Sequence, residues 1–285
     1  MNKIITIKPL DDAPYGAKRP KWLWKWRLSK RKNGQLPASE SQKKDPLRKT
    51  LRRKKPVFDL EYNSLKLRLY PAENICDLKL VMYGAHPASE QLERVDHLLK
   101  QARVFVDIGA NVGLYSLIAR QRMPPSARIL SFEPDPRTVR KLRQNLDFNG
   151  AKNVTVIHGA VGSEEGYLPL FNASSHNVGR NTLVPNLAGD DGSGGINVPV
   201  RPLISYLEDA GIDQIDVLKI DVEGFEAEVL APFLDQANKD LLPKYIMIEV
   251  VARDYWKQDV ISMCHALGYE TVYETSDDMH LEMTK

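Results

Sequence analysis

Residues Val104 to Gly113 read VFVDIGANVG, and this stretch decides the fold. Val104, Phe105 and Val106 form an apolar run with strong strand preference, closed by Asp107. Ile108 to Gly113 is a turn of small residues, and Leu114-Tyr115-Ser116-Leu117-Ile118-Ala119 predicts a helix. Strand, glycine turn and helix together open a nucleotide-binding α/β domain. Glycine lets the backbone approach a ligand, and a helix start offers unbonded N–H groups.

A dinucleotide fingerprint requires G-x-G-x-x-G. After Gly109 the two later positions hold Asn111 and Leu114, so an NAD dehydrogenase is disfavoured. What stands is D-x-G-x-N-x-G. An acid at the strand end, ahead of the glycines, suits a ligand that carries positive charge. S-adenosylmethionine has an ammonium and a sulfonium and no phosphate, and it fits. On this stretch alone, another nucleotide and a plain strand-turn-helix without ligand both stay open.

The chain has 285 residues, 42% hydrophobic and 27% charged. That is ordinary globular usage, enough for one large domain or one domain with an appendage. No apolar run reaches the length of a membrane span, and no secretory signal follows the N-terminus, so a cytoplasmic protein is expected. Cys76 and Cys264 stand far apart without a C-x-x-C, which predicts reduced core residues.

The net charge of +3 hides an asymmetry. Residues 1 to 56 hold 18 basic and 4 acidic residues, net +14; the remainder holds 22 and 33, net −11. Residues 1–55 therefore read as a basic, tryptophan-containing, largely flexible arm. Its Pro20 to Lys32, PKWLWKWRLSKRK, carries Trp22, Trp24 and Trp26. Tryptophan among basic residues suits an anionic membrane or glycolipid surface, reached through residues 20–55 and leaving the protein peripheral there. Packing of the tryptophans on the main domain is the plainer alternative, and nucleic acid is the less favoured one.

Residues 56–100 predict a small unit. Val57 to Leu69 alternate about an Asn63-Ser64 turn, a hairpin, and Leu78 to Met82 continue the apolar pattern. Ala88 to Lys100 predicts one amphipathic helix with Leu92, Val95, Leu98 and Leu99 inward. Residues 101–285 then alternate strands and helices. The strands are Arg128 to Phe132, Asn153 to Ile157, Ile215 to Asp221 and Tyr245 to Val250, with short final strands at Tyr269 and Met279. Helices are predicted at Arg137 to Phe148, Phe225 to Phe233 and Asp254 to Leu267. Gly166 to Phe171 and Ile196 to Val200 read as added strands around Asn172 to Gly195, a stretch without periodicity that reads as a lid or binding loop. The alternation predicts a mostly parallel twisted sheet with helices on both faces.

Ligands bind at the carboxyl ends of such strands. Asp107, Glu133, His158, Lys219, Asp221 and Glu249 fall at or near those ends. Each acid alone could equally cap a helix or pair with a base. Glu133, at the end of the second strand, is placed where an acid accepts hydrogen bonds from two ribose hydroxyls. Lys219 and Asp221 share a strand face at the ligand end.

VFVDIGANVGLYSLIA, LSFEPDPRTVRKLRQNLDFNG, VIHGAVG, IDVLKIDVEGFEAEVL and YIMIEV together resemble the FkbM-type S-adenosylmethionine-dependent methyltransferase family, over roughly Glu90 to Tyr273. The resemblance implies a class I, Rossmann-like methyltransferase fold and O-methylation of a hydroxyl on a sugar, glycolipid or secondary metabolite. It also implies that Asp107, Gly109, Asn111 and Gly113 line the methionine end of the cofactor, Glu133 holds the ribose, and Gly159 and Ala160 flank the adenine. Lys219, Asp221 and Glu223 become the polar cluster facing the methyl group. Asp221 is the expected base or hydroxyl orienter with Lys219 as its partner, and His158 and His176 stand in reserve. Glu223 is also expected to cap the helix after it. No His/Cys set has metal-ligand spacing, so no metal is expected. The alternative is a module that binds a nucleotide or glycolipid without catalysis.

Overall fold

The computed structural model describes residues 11–29, 45–172, 181–187 and 195–284. Two helices come first, α1 (Trp22–Ser29) and α2 (Pro46–Lys54). The hairpin β1 (Phe58–Tyr62) and β2 (Leu65–Leu69) turns at Asn63 and Ser64, with φ of 49° and 64°. That left-handed pair is what a two-residue hairpin loop of matching twist needs. Asn74 caps α3 (Ile75–Tyr83) by accepting from the N–H groups of Cys76 and Asp77. α4 (Pro87–Arg94) and the one-turn α5 (Asp96–Leu99) deliver the chain to β3 (Val104–Ile108) and α6 (Leu114–Arg122). Next come β4 (Arg128–Glu133), α7 (Pro136–Phe148) and β5 (Val154–His158). Four short strands follow: β6 (Ala160–Val161), β7 (Gly166–Asn172), β8 (Asn181–Thr182) and β9 (Ile196–Arg201). The chain closes with α8 (Leu203–Asp209), β10 (Val217–Ile220), α9 (Glu226–Gln236), β11 (Tyr245–Glu249), α10 (Val260–Ala266), β12 (Tyr269–Glu274) and β13 (Asp278–Met283).

The central sheet runs β12-β13-β11-β10-β3-β4-β5. β11, β10, β3, β4 and β5 pair in parallel, and β13 enters antiparallel to both β11 and β12. Both faces are buried, as a parallel sheet requires. Val106, Ile108, Leu218 and Ile220 pack with α9 on one face; Phe105 and Val217 pack with α3 and α6 on the other. This is the α/β, class I methyltransferase architecture that the alternation and the resemblance implied. A four-stranded sheet, β6-β9-β7-β8, is added beside it.

Several local expectations are corrected. Residues 11–29 and 45–55 do not behave as a flexible arm. Leu28, Leu47 and Leu51 are buried in the same cluster as Phe105, and Trp24 meets Phe58 edge-on at 5.4 Å. Arg68, fully buried, pairs with Asp59 through Nε and Nη2 and donates to the carbonyls of Ala13 and Pro14 at 2.8 and 2.9 Å. Trp22 stays 76% exposed. The stretch Leu78 to Met82 is helical, because Asn74 and Gly84 cap it at either end. The helix expected over Ala88 to Lys100 breaks at Val95, whose φ of −103° leaves the helical range. The last helix starts at Val260, capped by Asp259, and not at Asp254. Within Asn172 to Gly195, Asn181–Thr182 pairs with β7 and Pro185–Leu187 forms a turn of 3-10 helix; His176 lies outside the described residues.

Candidate functional site

The carboxyl ends of β3, β4, β5, β10 and β11 open onto one cavity. Its far wall comes from α3 and α4, through Ile75, Cys76, Lys79, His86 and Gln91. Asn74 Nδ2 donates to Asn111 Oδ1 at 2.6 Å and ties α3 to the glycine turn. Gln91 Nε2 donates to Asp278 Oδ2 at 2.6 Å and ties α4 to β13, while the Tyr115 hydroxyl donates to Gln91 Oε1.

The glycine turn is built around contact. Gly109 has φ +79°, and a Cβ there would lie 1.8 Å from the Asp221 carbonyl oxygen. Its value is the close approach of β3 and β10, beyond any space left for a ligand. A Cβ on Gly113, φ +86°, would meet Leu142 at 2.4 Å, so Gly113 serves helix packing and is not on the cavity wall. Asn111 takes φ 52° and lines the cavity.

Asp107 is the main departure. Residues of β3 and β10 lie in register, Asp107 beside Lys219 on one face. The carboxylate is fully buried behind the cavity wall; Ser116 Oγ donates to it at 2.6 Å and Lys219 Nζ stands 3.4 Å away. It supports Lys219 and does not itself line the cavity. Lys219 Nζ donates to the Gly109 carbonyl at 2.8 Å, lies 3.5 Å from Asp221 and sits 5.0 Å from the Tyr115 ring. Burial opposes the lysine charge, but Asp221 and Asp107 outweigh it and hold the ammonium above its ordinary range.

Glu133 lines the cavity and is buried. Its two oxygens accept from the N–H groups of Asn111 and Asp135, each at 2.9 Å. Burial raises its carboxyl to about 8, against these backbone donors, which favour the charged form. Gly159 and Ala160 line the wall beyond it. His158 is turned away, its Nε2 at 3.1 Å from the Pro134 carbonyl.

Asp221 is open, its side chain 39% exposed. Asp221, Glu223 and Glu249 bring carboxylate oxygens within 4.8 Å of one another, the one group among the described residues spaced to hold a metal ion. Burial first, then Asp221 and Glu223, push Glu249 up to about 11. Burial and Asp221 likewise raise Asp278 to about 6. Glu223 lines the cavity but is not the helix cap. Its φ is 54° and its carbonyl accepts from Thr182 Oγ1 at 2.7 Å. The N-cap position is Phe225, with no side-chain cap; Glu226, the first residue of α9, instead accepts from the N–H groups of Val222 and Gly224 and so fixes the turn before the helix. Lys79, His86, Gln91, Tyr115, Asn181 and Asp278 were not singled out by the sequence. Of these, only Tyr115 had a local signal, beginning the helix after the glycine turn.

The cavity is lined by carboxyl groups, and the open Asp221 with Glu223 beside it suits a ligand with positive charge at one end. Glu133, Asp221, Glu223, Glu249 and Asp278 face the cavity, and its lining cations are Lys79 and the already paired Lys219. The sheet, with its parallel core and antiparallel β13, has the architecture of a class I methyltransferase. Comparison with known proteins is specific: residues 107–279 match the family described as Methyltransferase FkbM domain. The chain belongs to the FkbM methyltransferase family, and S-adenosylmethionine is its cofactor.

Among curated relatives, Methyltransferase sdnD of Sordaria araneosa is 35% identical, over 44% of this chain and 58% of that protein. The 2-O-methyltransferase NoeI of Sinorhizobium fredii is 26% identical, over 48% of this chain and 60% of that protein. The chain thus spans about three fifths of the length of these relatives. A crystal structure of Methyltransferase FkbM from Methylobacillus flagellatus is 20% identical with a TM-score of 0.40, covering 63% of this chain and 43% of that one. No helix among the described residues is long and apolar enough to cross a membrane.

Proposed function

We propose that the protein methylates a hydroxyl group of a sugar, glycolipid or related small molecule. The observation that carries this reading is the open Asp221 carboxylate at the mouth of β10, 3.5 Å from Lys219 and in the same cavity as Glu133. The similarity to NoeI, a 2-O-methyltransferase, agrees with it. S-adenosylmethionine supplies a methyl group already activated on a sulfonium. Asp221 accepts the proton of the attacking hydroxyl, and Lys219 holds Asp221 in place. Glu133 takes the ribose hydroxyls; Asn111, Gly159 and Ala160 line the rest of the cofactor's path. Alignment of the hydroxyl accounts for as much as ~7–11 kcal/mol of the barrier, and a general base adds ~10²- to 10⁴-fold.

The test is product analysis with methyl-labelled cofactor against sugars, glycolipids and hydroxylated metabolites. NMR should place the new methyl on oxygen. Asp221→Asn should keep its fold and its affinity for S-adenosylhomocysteine within a few-fold, and lose ~10²-fold or more in turnover. A methyl on nitrogen or carbon, or an unimpaired Asp221→Asn, would refute the reading.

A second reading concerns the partner of the N-terminal region. α2, PLRKTLRRK, buries Leu47 and Leu51 and has no acid in its sequence, while Lys49, Arg53 and Lys54 are exposed. These exposed basic residues, and separately the exposed Trp22 of α1, are of the kind that suits an anionic membrane or glycolipid surface.

A further inference from the structure

The cavity continues past Glu133. β5 lies in register beside β4, Glu133 opposite His158, and the Gly159 N–H donates to the Glu133 carbonyl at 3.3 Å. From there the lining is apolar: Phe132, Pro134, Ala160, Val161, Leu170 and Leu183. Such a slot accepts a flat ring with apolar faces and needs a few placed polar groups to fix that ring's edge. The exit of β5 provides none, since Gly159 and Ala160 have no polar side chain and His158 is engaged by Pro134.

Asn181 is the polar side chain of this slot. Its Nδ2 donates to Asp135 Oδ2 at 3.0 Å. The other oxygen of Asp135 caps α7, accepting from the N–H groups of Arg137 and Thr138. A carboxylate only accepts, so Asp135 fixes which way the amide faces, with the NH2 toward it. Asn181 Oδ1 is left buried, with no hydrogen-bond partner among the described residues. The backbone around it is held firmly: Asn181 pairs with Asn172, and Thr182 Oγ1 donates to the Glu223 carbonyl. A buried acceptor without a partner is costly, and a donor arriving in the slot removes that cost.

We propose that Asn181 Oδ1 accepts the exocyclic amino group of the cofactor's adenine, and that Asn181 makes the site select adenine over a 6-oxo purine. The proposal rests on the reading of the cavity as the cofactor site with Glu133 at the ribose. A 6-oxo purine would present a carbonyl oxygen to Oδ1, acceptor against acceptor.

Calorimetry with S-adenosylhomocysteine and its 6-oxo counterpart, S-inosylhomocysteine, tests it. The wild type should prefer the adenine compound by about tenfold or more. Asn181→Leu should weaken the adenine compound several-fold and leave the 6-oxo compound within about twofold, which collapses the preference. Glu133→Ala should weaken both compounds alike, because they share the ribose. Equal affinity of the wild type for the two compounds overturns the proposal whatever the variants do. An unchanged preference in a folded Asn181→Leu also overturns it. Should the leucine variant not fold, Asn181→Ser is measured in its place. Binding of neither compound by the wild type refutes the cofactor reading of the cavity, and the adenine assignment with it.

Discussion

Gly109→Ala separates backbone strain from the close approach of two strands. Gly109 and Gly150 both sit at positive φ, +79° and +57°. A Cβ on Gly150 meets nothing within 4 Å, whereas one on Gly109 would lie 1.8 Å from the Asp221 carbonyl oxygen. Left-handed conformation costs a non-glycine residue about 1–2 kcal/mol, and Gly150→Ala should lose that alone. Real Cβ contacts stay beyond 3.0 Å, so Gly109→Ala must in addition drive the ends of β3 and β10 apart. Overpacking of this kind adds about 1–3 kcal/mol, for roughly 2–5 kcal/mol in all. The displaced atoms are the Asp221 backbone and the Gly109 carbonyl that receives Lys219. Binding should therefore suffer with stability. Urea unfolding of both variants, with calorimetry of S-adenosylhomocysteine, measures the two effects. The reasoning fails if Gly109→Ala is no less stable than Gly150→Ala, or if it binds the ligand within twofold of wild type.

Glu133→Ala should weaken S-adenosylhomocysteine by about 1–3 kcal/mol, two ribose hydrogen bonds at about 0.5–1.5 each, and calorimetry showing less than a threefold change would remove Glu133 from the ribose. Glu249 and Glu133 have raised pKa values in the folded chain, about 11 and about 8 against 4.5. Their contribution to stability is full below about 4.5 and is lost as pH climbs toward 8 and beyond. Stability of the ligand-free protein should thus fall between pH 5.5 and 8.5. Glu249→Gln should flatten that slope and gain about 1–3 kcal/mol at pH 8, and urea unfolding at three pH values would expose an unchanged slope. Lys49→Glu with Arg53→Glu reverses two exposed charges of α2; at ~1 kcal/mol per basic residue, binding to phosphatidylserine vesicles should drop tenfold or more, and co-sedimentation equal to wild type would end the membrane reading.

The strand ends were legible because their signals are local. Val104 to Asp107 and Val217 to Asp221 are apolar runs that stop in charge, and turn residues follow. Glu133, Asp221 and Lys219 were found that way. Asp107 was assigned to the methionine end by resemblance alone; its burial behind the wall, beside Lys219 of the neighbouring strand, depends on a pairing across the sheet that a linear motif does not carry. Gln91, His86 and Lys79 were invisible, since their place in the site is set by helices packed from outside the family-matched region. Asn181 lay in a stretch of Asn, Ser and Gly without period, and its position is fixed by pairing with β7 and by Asp135. The basic stretch misled in the opposite sense. Its charge count spoke for disorder, while three leucines, Leu28, Leu47 and Leu51, were enough to anchor the described parts.

The Arg68 clamp and those leucines bear on how this catalyst can be reused. A boundary drawn at residue 107, where the family match begins, would cut through the apolar cluster and leave Arg68 and Asp59 on the discarded side. It would also remove the α3 and α4 wall. The methyltransferase portion is not a portable cassette. Grafting it onto another carrier, or exchanging it between relatives, calls for junctions ahead of Asp11, so that the catalytic sheet and its N-terminal wrapping travel as one packed unit.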